Sequence, residues 1–192
     1  LDVHVEASNG LQISTNASEW KTVITNADIT AGYAGAKNMV PATLNAVSTD
    51  GTVSESELNM YKGVVGSNAQ TGEYTITATK SPAKAGSTGD YIAFDMFLRV
   101  DQAQNIYLTT SSNVIAKEGT EDKGLKNAAR VGFVTLGNAS SETAAGTLQA
   151  LNTPATTAII WEPNADAHTA RGNASAIEYG ITVNNKTNRT GY

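Results

Sequence analysis

The sequence predicts an all-β protein, a two-sheet antiparallel β-sandwich of jelly-roll type with minor short helices. Three observations carry that expectation. Apolar residues recur on alternate positions in several stretches, helical periodicity is weak throughout, and the intervening segments are small, polar and rich in turn formers. About ten short strands in a chain of 192 residues suit two packed sheets, and the paired cysteines of an immunoglobulin-type sandwich are missing, which favours the jelly roll.

Taken in order, Leu1, Val3, Val5 and Ala7 alternate with Asp2, His4, Glu6 and Ser8, and Asn9-Gly10 supplies a turn signal before Leu11 and Ile13 resume the pattern. This predicts an opening hairpin. Trp20, Thr22 and Ile24 share a face opposite Lys21, Val23 and Thr25, while Tyr74, Ile76 and Ala78 lie opposite Glu73, Thr75, Thr77 and Thr79. The most hydrophobic segment, residues 90–101, places Ile92, Phe94, Met96, Leu98 and Val100 together and predicts a central strand. Further strands are expected at 130–136, 155–161 and 176–183, with shorter ones at 58–65 and 105–110. Helix is restricted to 37–47, where Pro41 fits only a first turn, and to 124–129. Residues 81–89, 117–124 and 137–146 read as surface loops. With no fixed-period repeat and no biased linker, residues 1–192 are expected to form a single domain, its first strand at about 1–8.

Composition narrows the function. Only 16% of residues are charged, against about a quarter in ordinary soluble domains, so Thr, Ser and Asn must solvate much of the surface. A net charge of -5 and a pI near 5.0 oppose nucleic acid as a partner. The absence of cysteine removes disulfides, thiolate metal sites and a Cys nucleophile. No run of about 18 apolar residues suggests a membrane span, and the first residues show neither a basic nor an apolar leader region.

The sequence shows little chemistry. The histidines are His4, which alternates with valines and is expected to face solvent, and His168. Glu162, Asn164, Asp166 and His168 alternate in one segment, yet they offer about half of a calcium shell and lack a loop glycine, so they read as loop decoration rather than a metal site. No nucleophile elbow, zincin helix or phosphate-cradling glycine loop occurs. No catalytic residue, metal or cofactor is therefore expected, and the chain is not expected to be an enzyme. Asp95, Asp101, Glu162 and Asp166 leave room for a dispersed carboxylate pair of the glycosidase kind, but Asp95, with Arg99 four residues on, reads as a solvated face or a cross-strand ion pair. Trp20, Trp161, Tyr33, Tyr61, Tyr74, Tyr91 and Tyr107 include enough aromatics for a sugar-stacking platform, although packing is the commoner use. Asn-x-Ser/Thr triplets at Asn16, Asn138, Asn173, Asn185 and Asn188 lie in segments read as loops or termini and are candidate glycan acceptors.

The amphipathic strand at 1–8 must pair with something. Paired inside its own domain it is an ordinary first strand; filling a neighbour's open edge, it repeats head to tail and makes a filament. Leu1-Asp2-Val3-His4-Val5, followed by Gly10-Leu11-Gln12-Ile13-Ser14, resembles the start of the mature core in secreted TasA/camelysin-like fibre proteins of bacterial and archaeal surfaces. Residues 90–100, 127–133 and 159–164 are similar to strands of the same proteins. The resemblance implies a jelly-roll subunit that assembles into extracellular fibres through donated N-terminal strands. A peptidase activity finds no metal-ligand motif here.

The expectation is a secreted, cell-surface or biofilm-matrix filament subunit whose partner is itself, with Leu1, Val3, Val5 and Ala7 as the polymerisation face and glycans as a further association. The rivals are a carbohydrate-binding module, a viral capsid or tail component, and a hydrolase with dispersed carboxylates.

Overall fold

The computed structural model describes residues 2–84, 86–121, 124–164, 170–178 and 182–183. Strands come first along the chain: β1 (Val5–Glu6), β2 (Leu11–Ser14) and β3 (Val23–Ile24), followed by helix α1 (Asn26–Ala31). Then come β4 (Val47–Ser48), β5 (Val53–Ser54), β6 (Glu57–Leu58), the two long strands β7 (Tyr61–Ser67) and β8 (Tyr74–Lys80), and β9 (Phe97–Val100). The last part carries α2 (Leu125–Ala128), β10 (Val131–Phe133), α3 (Ala145–Gln149), β11 (Ile159–Glu162), α4 (Ala170–Glu178) and β12 (Thr182–Val183).

The fold is built mostly from β-strands in several small, largely antiparallel sheets with a few short helices. Hydrogen bonds define five ladders among the described residues, ordered β1-β3, β2-β9, β4-β7-β8, β5-β6 and β10-β11-β12, of which only the β11-β12 pair is parallel. Isolated bridges Ile13–Lys21, Met39–Ala93 and Thr52–Thr157 tie neighbouring segments together.

Ile13 from β2, Ile24 from β3 and Ile29 from α1 are almost wholly buried, as is Met39; Ile160 and Trp161 are the buried apolar pair of β11. Helix α1 forms where it does because Asp28 closes its first turn: Oδ2 accepts the Thr25 N–H at 2.9 Å and the Thr25 hydroxyl at 3.0 Å, satisfying an amide that precedes the helix. At the other end, Thr15 Oγ1 donates to the Asp28 carbonyl at 2.9 Å and Asn38 Nδ2 to the Ile29 carbonyl at 2.7 Å.

Several sequence expectations need correction. Asn9-Gly10 does turn the chain, with Gly10 at φ +82° and the Leu11 N–H donating to the Ser8 carbonyl. The flanking strands, however, do not form a hairpin, because β1 pairs with β3 and β2 with β9. The long strand expected over 90–101 is laddered only at Phe97–Val100, with Ala93 in a single bridge. Residues 37–47 contain no helix; Pro41 is buried and Met39 is held in its bridge. No strand forms at 105–110. Three helices occur where none was expected: α1 follows directly on β3, α3 begins within the 137–146 loop, and α4 covers the start of the strand expected over 176–183.

Candidate assembly interface

The first strand shows the alternation its sequence implies. Val3, Val5 and Ala7 are half-buried while Asp2, His4, Glu6 and Ser8 are exposed; Leu1 lies outside the described residues. Within the single chain this strand sits on β3, in the register Val5–Ile24 and Glu6–Val23. The ladder is extended at both ends: the Ala7 N–H donates to the Thr22 carbonyl at 2.7 Å, and the Val3 N–H to Asn26 Oδ1 at 2.9 Å. These bonds turn the odd-numbered backbone groups toward β3, and the even-numbered ones away from it. Among the described residues no strand flanks β1 on that outer side. Its seat is secured from behind, since Lys21 Nζ reaches Asp28 Oδ1 at 2.5 Å and holds α1 against the strand turn. That ammonium, together with the Thr25 amide, lowers the Asp28 carboxyl from its ordinary 3.8 to about 2.

The second open edge is β8. The β7–β8 pair runs in continuous register from Tyr61–Lys80 to Ser67–Tyr74, and nearly all of it is exposed, including Val65 at 66%, Tyr74 at 80% and Ile76 at 78%. The connection is fixed by Asn68, whose Oδ1 accepts the amides of Gln70 and Thr71, and by Gly72 at φ +71°.

Of the four carboxylates that suggested a dispersed acid–base pair, Asp95 and Glu162 are engaged in structural contacts. Asp95 accepts the Tyr33 hydroxyl at 2.8 Å and pairs with Lys84 Nζ at 2.7 Å, while its own amide donates to Asn38 Oδ1 at 3.1 Å. Burial, and then the hydrogen bond it donates to Asp95, pushes the Tyr33 hydroxyl up. Of the two readings of Asp95, a solvated face or an ion pair to another segment, the pair with Lys84 is the one that forms, while Arg99 bonds Gln12 across the β2–β9 ladder and lies 4.2 Å over the Trp20 ring. Glu162, almost fully buried, pairs with Arg130 at 2.6 Å. Asp101 is exposed, and Asp166 and His168 lie outside the described residues. Asn164 donates to the carbonyls of Val114 and Lys126, so its amide ties chain segments together. Among the described residues no cluster of three metal-ligating side chains occurs.

A carboxylate that the sequence reading overlooked, Asp90, is 4% exposed and takes Lys62 Nζ at 2.8 Å, Asn45 Nδ2 at 2.7 Å and the Ser81 hydroxyl at 3.1 Å. The Lys62 contact chiefly holds it below the usual carboxylate range. Nothing in the local spacing of Asp90 foretells a triple lock whose members come from four places in the chain.

Neither a protein-family model, nor a curated protein, nor a solved structure matches this chain. The resemblance to fibre proteins therefore rests on the residues quoted for it.

The aromatic residues are dispersed in role. Trp161 is in the core, one face of Trp20 is covered by Arg99, and Tyr33 packs at a tilt on Phe97 with ring centres 6.0 Å apart. Tyr74 and Tyr107 remain exposed on different segments. Of the glycan-acceptor triplets, Asn138 is exposed on a loop. Asn16 is half-buried and its side-chain carbonyl accepts from Ser18 and Glu19 amides, closing a turn. Asn173 lies in α4 rather than in a loop, and Asn185 and Asn188 are outside the described residues.

Proposed function

We propose that this chain is a structural subunit that associates with copies of itself by exchange of its first strand, as a secreted fibre subunit would. The observation that carries the reading is the seat of β1: a two-residue ladder at the border of the fold, half covering the Val3, Val5 and Ala7 side chains. A neighbour's strand placed on β3 makes the same bonds and buries the same side chains, so exchange replaces like with like and is governed mainly by subunit concentration. The short ladder is quickly vacated, and the exposed outer edge of β1 gives a second place for pairing. Each of the three apolar side chains contributes at about 25 cal/mol per Å2 buried, in either arrangement. A two-sheet jelly roll, secretion and glycan attachment at Asn138 belong to the same proposal.

A carbohydrate-binding role is less well supported, because Trp161 is buried and Trp20 is covered. A hydrolytic role is likewise less well supported, because Asp95 and Glu162 are bound to cations.

The chain lacks cysteine, so a cross-strand pair reports exchange cleanly. Glu6 and Val23 are directly opposed in the ladder, at a non-hydrogen-bonded position where Cα atoms lie about 4.5 Å apart. Separate E6C and V23C proteins are mixed under mild oxidation at high concentration. Exchange gives E6C–V23C disulfide-linked dimers well above either homodimer; their absence, with the E6C/V23C double variant closing only within one chain, refutes the proposal.

A further inference from the structure

We propose that β8 is a self-association edge, on which a second copy of this chain pairs antiparallel about a two-fold axis at Thr77, joining two β7–β8 arms into one four-stranded ribbon. The backbone orientation supports this. The Ser81 N–H donates to the Met60 carbonyl and the Asn68 N–H to the Glu73 carbonyl, each at 2.8 Å. These bonds bracket the ladder and turn the peptide groups of Thr75, Thr77 and Thr79 inward to β7. The N–H and C=O groups of Tyr74, Ile76, Ala78 and Lys80 consequently point out from the free edge, and among the described residues no strand meets them.

Natural sheets blunt such edges with a mid-strand charge, a proline or a bulge. Between Tyr74 and Lys80, β8 has none of these, and its register with β7 is unbroken. Its charges favour the proposed direction. Glu73 stands at one end and Lys80 at the other, on opposite faces of the strand; an antiparallel partner brings the positive end of each copy to the negative end of the other, a long-range preference rather than a paired contact, whereas a parallel one sets like ends together. Lys80, which in the single chain donates to Ser54 Oγ at 3.1 Å, lies on the exposed surface and is free to turn.

Centred on Thr77, the register opposes Ile76 to Ala78 of the second copy and Tyr74 to its Lys80. All four outward N–H groups of each strand then find a carbonyl, and Val65, Tyr74, Ile76 and Ala78 of both copies gather on one face of the ribbon. Shifting the axis by one residue in either direction leaves outward groups unpaired at the strand ends. The edge is about 24 Å long and ~10 Å deep, so the contact covers roughly 240 Å2 per copy, well below the ~800 Å2 of a standard interface. The association is therefore weak, with half-assembly on the order of 100 µM or above. It shares no residue with the first-strand exchange proposed above and does not depend on it.

Sedimentation across a concentration series reads the association, and two sets of variants locate it. A78P removes an outward N–H without touching a β7–β8 bond, and I76K places a charge beside the axis; each is expected to weaken dimerisation at least tenfold while circular dichroism stays unchanged. T77C, at the axis, is expected to oxidise to a covalent dimer at least tenfold faster than E73C at the strand end. A chain that stays monomeric up to millimolar concentration overturns the proposal and leaves the edge to a different protein. So does T77C cross-linking no faster than E73C. Neither variant set touches residues 1–8, so E6C–V23C exchange that persists in A78P separates the failure of one proposal from the failure of the other.

Discussion

Replacing Asp28 tests the seat of the first strand. Its carboxylate receives Lys21 at 2.5 Å and the Thr25 amide at 2.9 Å, and together these lower its pKa from 3.8 to about 2. A shift of that size corresponds to about 2 kcal/mol of folding free energy at most. The Asp28 side chain is 19% exposed and Lys21 is 42% exposed, so solvent screening reduces the contribution to about 1–2 kcal/mol. The sign follows from the direction of the shift. A carboxyl lowered in the folded chain stabilises it fully above the unfolded pKa near 3.8, and the contribution is lost as pH falls from there through about 2. D28N keeps an acceptor for the Thr25 amide but has no charge for Lys21, so it is expected to unfold about 1 kcal/mol more easily than the parent at pH 7, a midpoint drop of roughly 2–4 °C. Urea titrations followed by circular dichroism at pH 7, 4, 3 and 2 measure the gap, which should close toward zero at pH 2. A gap that stays constant over this range refutes the electrostatic account of α1.

Two further substitutions probe the frame around the candidate edges. Gly89 lies at φ +144° and a Cβ there runs into the sulfur of the buried Met39, so G89A should cost about 2–4 kcal/mol in urea unfolding; a loss under 0.5 kcal/mol is incompatible with this packing. Removing the Arg130 guanidinium leaves the buried Glu162 carboxylate without the cation 2.6 Å away, so R130L should cost about 2–4 kcal/mol, and adding E162Q should restore part of it. A double variant no more stable than R130L contradicts the pairing.

Period-two patterns revealed where strands lie better than what covers them. The Tyr74, Ile76 and Ala78 alternation does form β8, yet its apolar face is exposed, because alternation reports the pleat and not the neighbour above it. Residues 90–96 alternate as well as 97–100 do, but only the latter meet β2, and partners remote in sequence leave no local trace. Asn9-Gly10 signalled a turn correctly, while pairing went to β3 and β9. Helix α1 had a readable start in Thr25-Asn26-Ala27-Asp28, an acidic capping pattern before Ile29 that the strand reading of Trp20–Ile24 overshadowed. By contrast, α3 has Ala144 at its N-cap with no side-chain bond and so carried no start signal. At the first strand, the alternation and the outward His4 were legible, whereas the Ile24 partner and the Asn26 clamp were not.

The ladder between β2 and β9 joins Leu11 to Val100, and it carries a kinetic consequence. Closing so long a loop is slow compared with zipping the local β7–β8 arm. During synthesis, Ile13 has no ladder partner in β9 until nearly half the polypeptide has followed it. Strand β2 thus spends its early life with the edge that meets β9 uncovered, although β1 beside it already has its own partner within reach in β3.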